Sequence, residues 1–267
     1  MLSVIKLGGG AGVDHAAAAH DIAELVASGS RAVVLHGCSK AADRLGDEMG
    51  LPARHVTSTA GVRSRYTDAA ALRVFTAAAA LVNAELVVGL QRHGVRAIGL
   101  TGADGGLLRG PRKDILRVVE HGRQRVLRDD YTGRVEQVNS DMLRLLLDAG
   151  YTPVIAPLAL AYSGDMVNVD GDRAAAAVAV ALDAETLFVL SNVPGLLADI
   201  HDDRSLVHTL CAGDLATFER RVTGGMRRKL MAAREALRGG VRRVVLADGR
   251  VAHPLRAAIA EQGTVIA

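Results

Sequence analysis

Apolar runs of β character recur along this chain. Each ends in a glycine-rich or small-residue turn, and helical sequence follows. The runs lie at Leu2 to Leu7, Arg31 to Leu35, Thr152 to Ala156 and Thr186 to Leu190. Such alternation confines the fold to the α/β class, with strands that are mainly parallel and buried on both faces. At 267 residues and 49% hydrophobic, the chain can bury a large core as one domain of two closely packed lobes. A change of character near Val167 divides residues 1–167 from residues 168–267.

The intervening sequence predicts the remaining elements. Asp14 or His15 opens a helix through Val26, a second helix runs to about Met49, and a long one follows Asp68 as far as Arg92. The piece between Gly50 and Arg63 is irregular. Residues Leu107 to Leu127 hold short β runs separated by Gly-Pro and His-Gly turns, which predicts a hairpin region laid over the sheet edge. A helix is expected at Ser140 to Leu147. Val167 to Asp172 is expected as a turn opening a helix at Ala174 to Leu182. Helices near Asp214–Arg220 and Met226–Arg238 and strands at Arg242–Leu246 and Thr264–Ile266 complete the chain.

Bulk properties remove several functions. The formal charge of +3 is mild, there is no tryptophan, and aromatics are 3%, so the stacking platforms of single-strand nucleic-acid binders are missing. The basic clusters suit an anionic metabolite or an acidic protein better. No apolar stretch is both long enough and free of charge to span a bilayer, and the N-terminus carries no secretory pattern. Two cysteines, Cys38 and Cys211, make no C-x-x-C, which suits a reducing cytoplasm.

Two lysines carry the chemistry. Lys6 precedes Gly8-Gly9-Gly10 at the end of the first strand, and Lys229 follows Gly224-Gly225-Met226 at a helix start. Glycine lets backbone N–H groups approach an anion, and a lysine beside it supplies a full charge. Gly8 to Val13 does not fit G-x-G-x-x-G, because Val13 stands in the last position, and His36 stands where a ribose-binding acid would be needed. No G-x-x-x-x-G-K-[ST] occurs, so a Walker-type NTPase is excluded. The second strand runs into His36-Gly37-Cys38-Ser39, where small residues at a strand end can admit a ligand. Cys38 has no His and Asp arrangement around it for thiol catalysis. Arg65, between a polar loop and a helix, can clamp a carboxylate. Asn168-Val169-Asp170-Gly171-Asp172 offers three polar side chains at a helix start that needs one cap. Asp172 can orient two lysines and Asn168 can donate to substrate. Ser191-Asn192-Val193-Pro194-Gly195-Leu196-Leu197 suits one wall of an adenosine pocket. Arg227, Arg228 and Lys229 at a helix N-terminus oppose the helix dipole unless an anion visits.

These pieces describe phosphoryl transfer to a carboxylate. The nucleophile is already ionised at pH 7, so no general base is required. The protein must place two anions in line and offset their repulsion. One lysine from each lobe, with an aspartate between them, does this.

The set Lys6-x-Gly8-Gly9, His36-Gly37, Arg65-Tyr66-Thr67-Asp68, Asn168 to Asp172, Ser191 to Gly195 and Gly225-Met226-x-x-Lys229 resembles the amino acid kinase superfamily, in order and over the whole chain. Within it the chain is most similar to the N-acetylglutamate kinase group. It looks closest to the branch that phosphorylates 2-aminoadipate held on a small acidic amino-group carrier protein during lysine biosynthesis. Asp130 to Glu136 and Ser191 to Leu197 favour that branch. The resemblance implies a three-layer αβα sandwich, dimeric through the N-terminal lobe. It implies ATP as phosphoryl donor, with Mg²⁺ carried on the nucleotide. Lys6 and Lys229 would stabilise the migrating phosphoryl group and Asp172 would organise them. Arg65 and Asn168 would bind the acid substrate, and His36, Gly37 and Cys38 would line its site. Gly8, Gly9, Ser191 to Leu196 and Gly224 to Met226 would contact ATP. The basic residues Arg109, Arg112, Lys113, Arg123, Arg125 and Arg128 would face the carrier. N-acetylglutamate kinase is the alternative acceptor reading, and a catalytically silent nucleotide-binding regulator is the alternative of another class. Cys38 stands where the family commonly has glycine.

Overall fold

The computed structural model describes residues 1–59, 63–113, 115–120 and 123–267. Leu2–Leu7 lies mid-sheet, paired in parallel with Arg31–His36 on one side and Thr186–Ser191 on the other. Beyond Arg31–His36 come Thr152–Ala161, Leu108–Gly110 and Gln137–Val138. Beyond Thr186–Ser191 come Arg243–Asp248, Gly263–Ile266 and Thr209–Leu210. With Ala97–Gly102, Met166–Val169 and Thr132–Gly133 attached near Thr152–Ala161, this makes a 12-stranded sheet.

The central strands are apolar throughout because both of their faces are covered. Val4, Val33 and Leu35 enter one core with helices Ser140–Asp148, Gly171–Ala181 and Gly224–Arg238. Ile5, Leu7, Ala32 and Val34 enter another with helices His15–Ala27, Ala69–Arg92 and Pro254–Ile259. Side chains alternate across a strand, so a run without polar breaks requires a layer on each side. The result is the expected three-layer α/β arrangement. Lys6 shares the face of Val4, under helices Gly171–Ala181 and Gly224–Arg238.

Helix starts follow the local chemistry. Asp14 accepts from the amides of Ala16 and Ala17, Asp68 from Ala71 and Asn139 from Met142, each meeting an amide with no intrahelical acceptor.

Three expectations need correction. The hairpin Leu116–Glu120 with Arg123–Leu127 does not lie over the main sheet edge. It joins His55–Ser58 and Arg63–Arg65 in a separate four-stranded sheet. Its apolar face needs a cover, and Val56 and Tyr66 close over Val118, Leu116 and Leu127. The stretch taken as irregular after Gly50 therefore contains a strand; the His121-Gly122 turn lies outside the described residues. Met166–Val169 is a strand rather than a turn, antiparallel to Thr152–Ala161, with Val167 and Val169 buried. Helix Ala69–Arg92 passes for a membrane span by length and composition alone, but it is not free of charge, since it carries Arg73 and Glu85. Here its Val74, Phe75, Ala78, Ala79, Val82, Leu86 and Leu90 are buried against the sheet.

Candidate active site

Where the central strands end, their turns interlock. Gly8 N–H donates to Leu190 O and Gly37 N–H to Leu7 O, both at 2.8 Å. Gly9 O accepts from Lys40 N at 2.9 Å and from the Ser39 hydroxyl at 3.0 Å. A Cβ on Gly9 would stand 2.4 Å from both Cys38 N and Gly37 C, and one on Gly37 would stand 2.6 Å from Gly9 N. Backbone meets backbone here, so no side chain fits at either position.

These turns form the floor of a cavity of about 1070 Å³ at the strand ends. Lys6 enters it from the central strand and Lys229 from the second turn of helix Gly224–Arg238. Both reach Asp172 in the first turn of helix Gly171–Ala181. Lys6 Nζ lies 2.7 Å from Asp172 Oδ1 and Lys229 Nζ lies 3.1 Å from Oδ2, with the side chains 8, 12 and 8% exposed for Lys6, Lys229 and Asp172. The helix start supplies this aspartate without losing its cap. Asp170 accepts from the amides of Asp172 and Arg173, which leaves the Asp172 carboxylate for the lysines. Three polar groups thus take three tasks, the third being Asn168, whose amide donates to Thr67 Oγ1 at 3.3 Å.

Two ammonium groups on one carboxylate leave one positive charge in excess. Burial would raise the Asp172 pKa, but Lys229 and Lys6 outweigh it and hold the carboxyl well below the usual range. Burial pulls Lys6 below the ordinary lysine value by more than Asp172 restores, and Lys229 lowers it further. An anion in the cavity would stabilise both protonated amines. Arg228 Nε stands 3.6 Å from Asp170 Oδ2. Thr223 makes no side-chain cap to helix Gly224–Arg238, the first turn holds no acid, and nothing lies within 4 Å of a Cβ built on Gly224 or Gly225. That helix end is open to a visiting phosphate.

Around Arg65 and Asn168 the cavity wall is held by further residues, Asp43, Thr67 and Asp130, that carry no local signal in the sequence. Arg65, 11% exposed, donates to Asp43 Oδ1 at 2.6 Å and to Ser39 O at 3.2 Å. Buried Asp130 accepts from Thr67 N at 3.2 Å and from the Thr132 hydroxyl, fixing the threonine that holds Asn168. In the sequence Asp130 stands out only within the stretch Asp130 to Glu136, because an acid in a loop carries no local sign of the amide it will meet. Arg112 stacks on Tyr131, 3.6 Å from the ring centroid, donates to Asp130 O and pairs with Asp165. These contacts make it an internal brace, whereas the sequence suggests a free surface cation.

The predicted residues divide accordingly. Lys6, Gly8, Gly9, Gly37, Cys38, Arg65, Asn168, Asp172, Ser191, Asn192, Gly224, Gly225 and Lys229 line the cavity. His36 does not. Its ring is buried with Nε2 3.1 Å from Asn83 Nδ2, and burial holds its pKa down to about 4, so it is neutral. Asn83 also donates to Val154 O, so the pair ties helix Ala69–Arg92 to the sheet. Burial pushes the Cys38 thiol up to about 12, which leaves it an inert packed side chain at neutral pH. Val193, Pro194, Gly195, Leu196 and Met226 are also absent from the lining. Leu196 is buried in the core, its amide bonded to Thr264 Oγ1 at 2.8 Å, and Met226 packs against the same core.

The amino acid kinase family model matches residues 1–248. The chain is 45% identical over 264 residues to the LysW-aminoadipate kinase of Deinococcus radiodurans, covering 98% of this chain and 90% of that protein. It is 45% identical over 266 residues to the LysW-aminoadipate kinase of Thermus thermophilus, covering 98 and 99%. Among solved structures, N-acetylglutamate synthase from Neisseria gonorrhoeae, complexed with coenzyme A and L-arginine, superposes with a TM-score of 0.79 at 26% identity. That match covers all of this chain and 61% of the synthase chain.

Proposed function

This chain belongs to the amino acid kinase family, and from that premise we propose that it transfers the γ-phosphoryl group of ATP to the side-chain carboxylate of 2-aminoadipate held through its amino group on a small carrier protein. The product is an acyl phosphate in lysine biosynthesis. The observation that carries the reaction type is the convergence of Lys6 and Lys229 on Asp172; the acceptor follows from the two relatives' names. The ionised carboxylate attacks without a base. Lys6 on the acid side and Lys229 on the nucleotide side draw charge from the equatorial oxygens as the phosphoryl group passes between them. Asp172 holds both amines and aims them into the cavity. Arg65 and Asn168 hold the acid. Ser191, whose buried hydroxyl has no partner among the described residues, and Gly224 and Gly225 take the nucleotide phosphates. Among the described residues, all four carboxylates lining the cavity are engaged, Glu136 and Glu235 by Arg134 and Arg173. The Mg²⁺ that accompanies ATP would therefore take its oxygens from phosphate and water.

In this reading residues 1–167 hold the acid, with Asn168 reaching in from the boundary, residues 168–267 otherwise hold the nucleotide, and the enzyme acts in the cytoplasm. Helix Ala69–Arg92 presents Ala77, Leu81, Ala84 and Val88 outward at helical spacing, a stripe suited to a homodimer.

Incubation with ATP, Mg²⁺, hydroxylamine and each acceptor tests the function. Hydroxamate should form with carrier-linked aminoadipate and not with free N-acetylglutamate. The reverse result selects the arginine-pathway reaction, and no hydroxamate with either, nor with another carrier-linked amino acid such as glutamate, makes the chain a silent regulator. The acidic carrier would dock on the small sheet, whose outward face carries Arg117, Val119 and Val126 beside exposed Arg123 and Arg128. Arg123→Glu with Arg128→Glu should raise KM for carrier-linked substrate about tenfold at low salt, an effect that shrinks near 1 M salt. An unchanged KM at low salt would place the carrier elsewhere.

A further inference from the structure

Away from the cavity, His20 and Asp21 of helix His15–Ala27 meet His253, which precedes helix Pro254–Ile259. None of the three lines the cavity. The Asp21 side chain is 1% exposed, whereas His20 and His253 are 45 and 49% exposed. One oxygen of this aspartate has a structural duty. Oδ2 accepts from the amides of Leu255 and Arg256 at 3.0 and 3.1 Å, capping the short helix from a distance. The other oxygen, Oδ1, faces two imidazoles. His253 Nδ1 lies 3.0 Å from it and His20 Nδ1 lies 3.7 Å from it, and the candidate donor atoms all fall within 4.8 Å of one another. The His20 ring also packs edge-on with His93, 5.2 Å between centroids.

A cap and a single His–Asp hydrogen bond account for Oδ2 and for His253. They leave unexplained a second imidazole turned toward the same oxygen. With metal–ligand bonds near 2.1 Å, donors around a tetrahedral ion stand roughly 3.4 Å apart. The two measured separations bracket that spacing. Two neutral imidazoles and one carboxylate are the donor types that zinc and its neighbours in the first transition row select, whereas magnesium and calcium prefer oxygen alone.

We propose that Nδ1 of His20, Nδ1 of His253 and Oδ1 of Asp21 form a site for a divalent transition metal of the zinc type, with its fourth position open to solvent. The ion would replace the Nδ1 proton of His253 and tie the first helix of the chain to the segment before its last helix. Residues 20 and 253 would then be joined across nearly the full sequence, so the expected consequence is stability rather than chemistry.

The test uses untagged full-length protein, stripped with chelator and desalted. It is titrated with Zn²⁺ by calorimetry and with Co²⁺ by visible absorbance. Wild type should take up one equivalent at micromolar affinity or better, give the intense d–d bands of a low-coordinate cobalt site, and gain thermal stability with Zn²⁺. His20→Ala and His253→Ala change exposed side chains and keep the Asp21 cap. Each should weaken the affinity at least tenfold and remove the cobalt bands, and neither should change the melting temperature of the metal-free protein by more than a few degrees. Retention of wild-type affinity in the His20→Ala, His253→Ala double variant would show that the ion sits on other groups and overturn the assignment. Absence of any uptake below millimolar Zn²⁺ would overturn it equally.

Discussion

Lys229→Met is expected to lower kcat by roughly 10³-fold or more while leaving a folded protein that still binds ATP. The magnitude is that of one charged group aimed at developing charge in a site shielded from water. Lys229 is 12% exposed and meets Asp172 at 3.1 Å, so methionine keeps its packing and removes its charge. Asp172 retains Lys6 at 2.7 Å and is not left as an unpaired buried carboxylate, so the melting temperature should move by only a few degrees. Lys6→Met should behave alike. Because the two amines act on one phosphoryl group, the double variant should lose little more than either single one. Single-turnover measurements with saturating ATP, alongside thermal shifts with and without nucleotide, separate lost chemistry from lost binding. A kcat within tenfold of wild type in either variant would remove these amines from the reaction.

The lysine pair could be found from sequence because each member stands beside a local signal, a strand ending in glycines or a helix opening after them. The caps at Asp14, Asp68 and Asp170 were legible for the same reason, since a cap is decided within a few residues. Features decided by distant partners were not. Met166–Val169 looks like a turn until Thr152–Ala161 is alongside to pair with it. Arg112 looks like one of a row of surface cations, yet Tyr131 and Asp165 draw it inward. His36 stands at the strand end where ligands collect, but Asn83, from a helix on the opposite face to Lys6, claims its ring. The Asn83 side chain also reaches over Gly99, where a Cβ would stand 2.1 Å from its Oδ1. The helix, the histidine and the glycine therefore form one arrangement that no stretch of sequence displays by itself. The turn after Ser191 misled in a related way. Its polar start lines the cavity, whereas Leu196 is drawn into the core by Thr264, far along the chain.

Asp172→Asn should be more damaging than either lysine variant, because it removes the carboxylate that both amines contact. The amide leaves two buried ammonium groups facing a neutral side chain. At an effective dielectric of about 20 their mutual repulsion is several kcal/mol at close range, and breaking a buried ion pair costs about 3–5 kcal/mol. We expect a stability loss of about 3 kcal/mol and a kcat lowered at least about 10³-fold. The pH dependence follows from the directions of the two shifts. The Asp172 pKa is depressed in the folded protein, so its contribution is full above the unfolded carboxylate pKa and is lost as pH falls through the folded value. The wild type should therefore shed stability in acid more steeply than the variant. Lys6 is depressed too, and the unfolded chain binds the extra proton between its folded and unfolded pKa values, so stability from this group rises with pH in that window. Without Asp172 the Lys6 pKa falls further and the window widens. The deficit of the variant should then shrink as pH is raised from neutral into the alkaline range, and phosphate or ATP should restore more stability to the variant than it adds to the wild type. Urea titrations across that pH range, with and without nucleotide, measure both effects. A deficit that stays constant with pH and is blind to anions would mean that Asp172 serves the helix start and not the lysines.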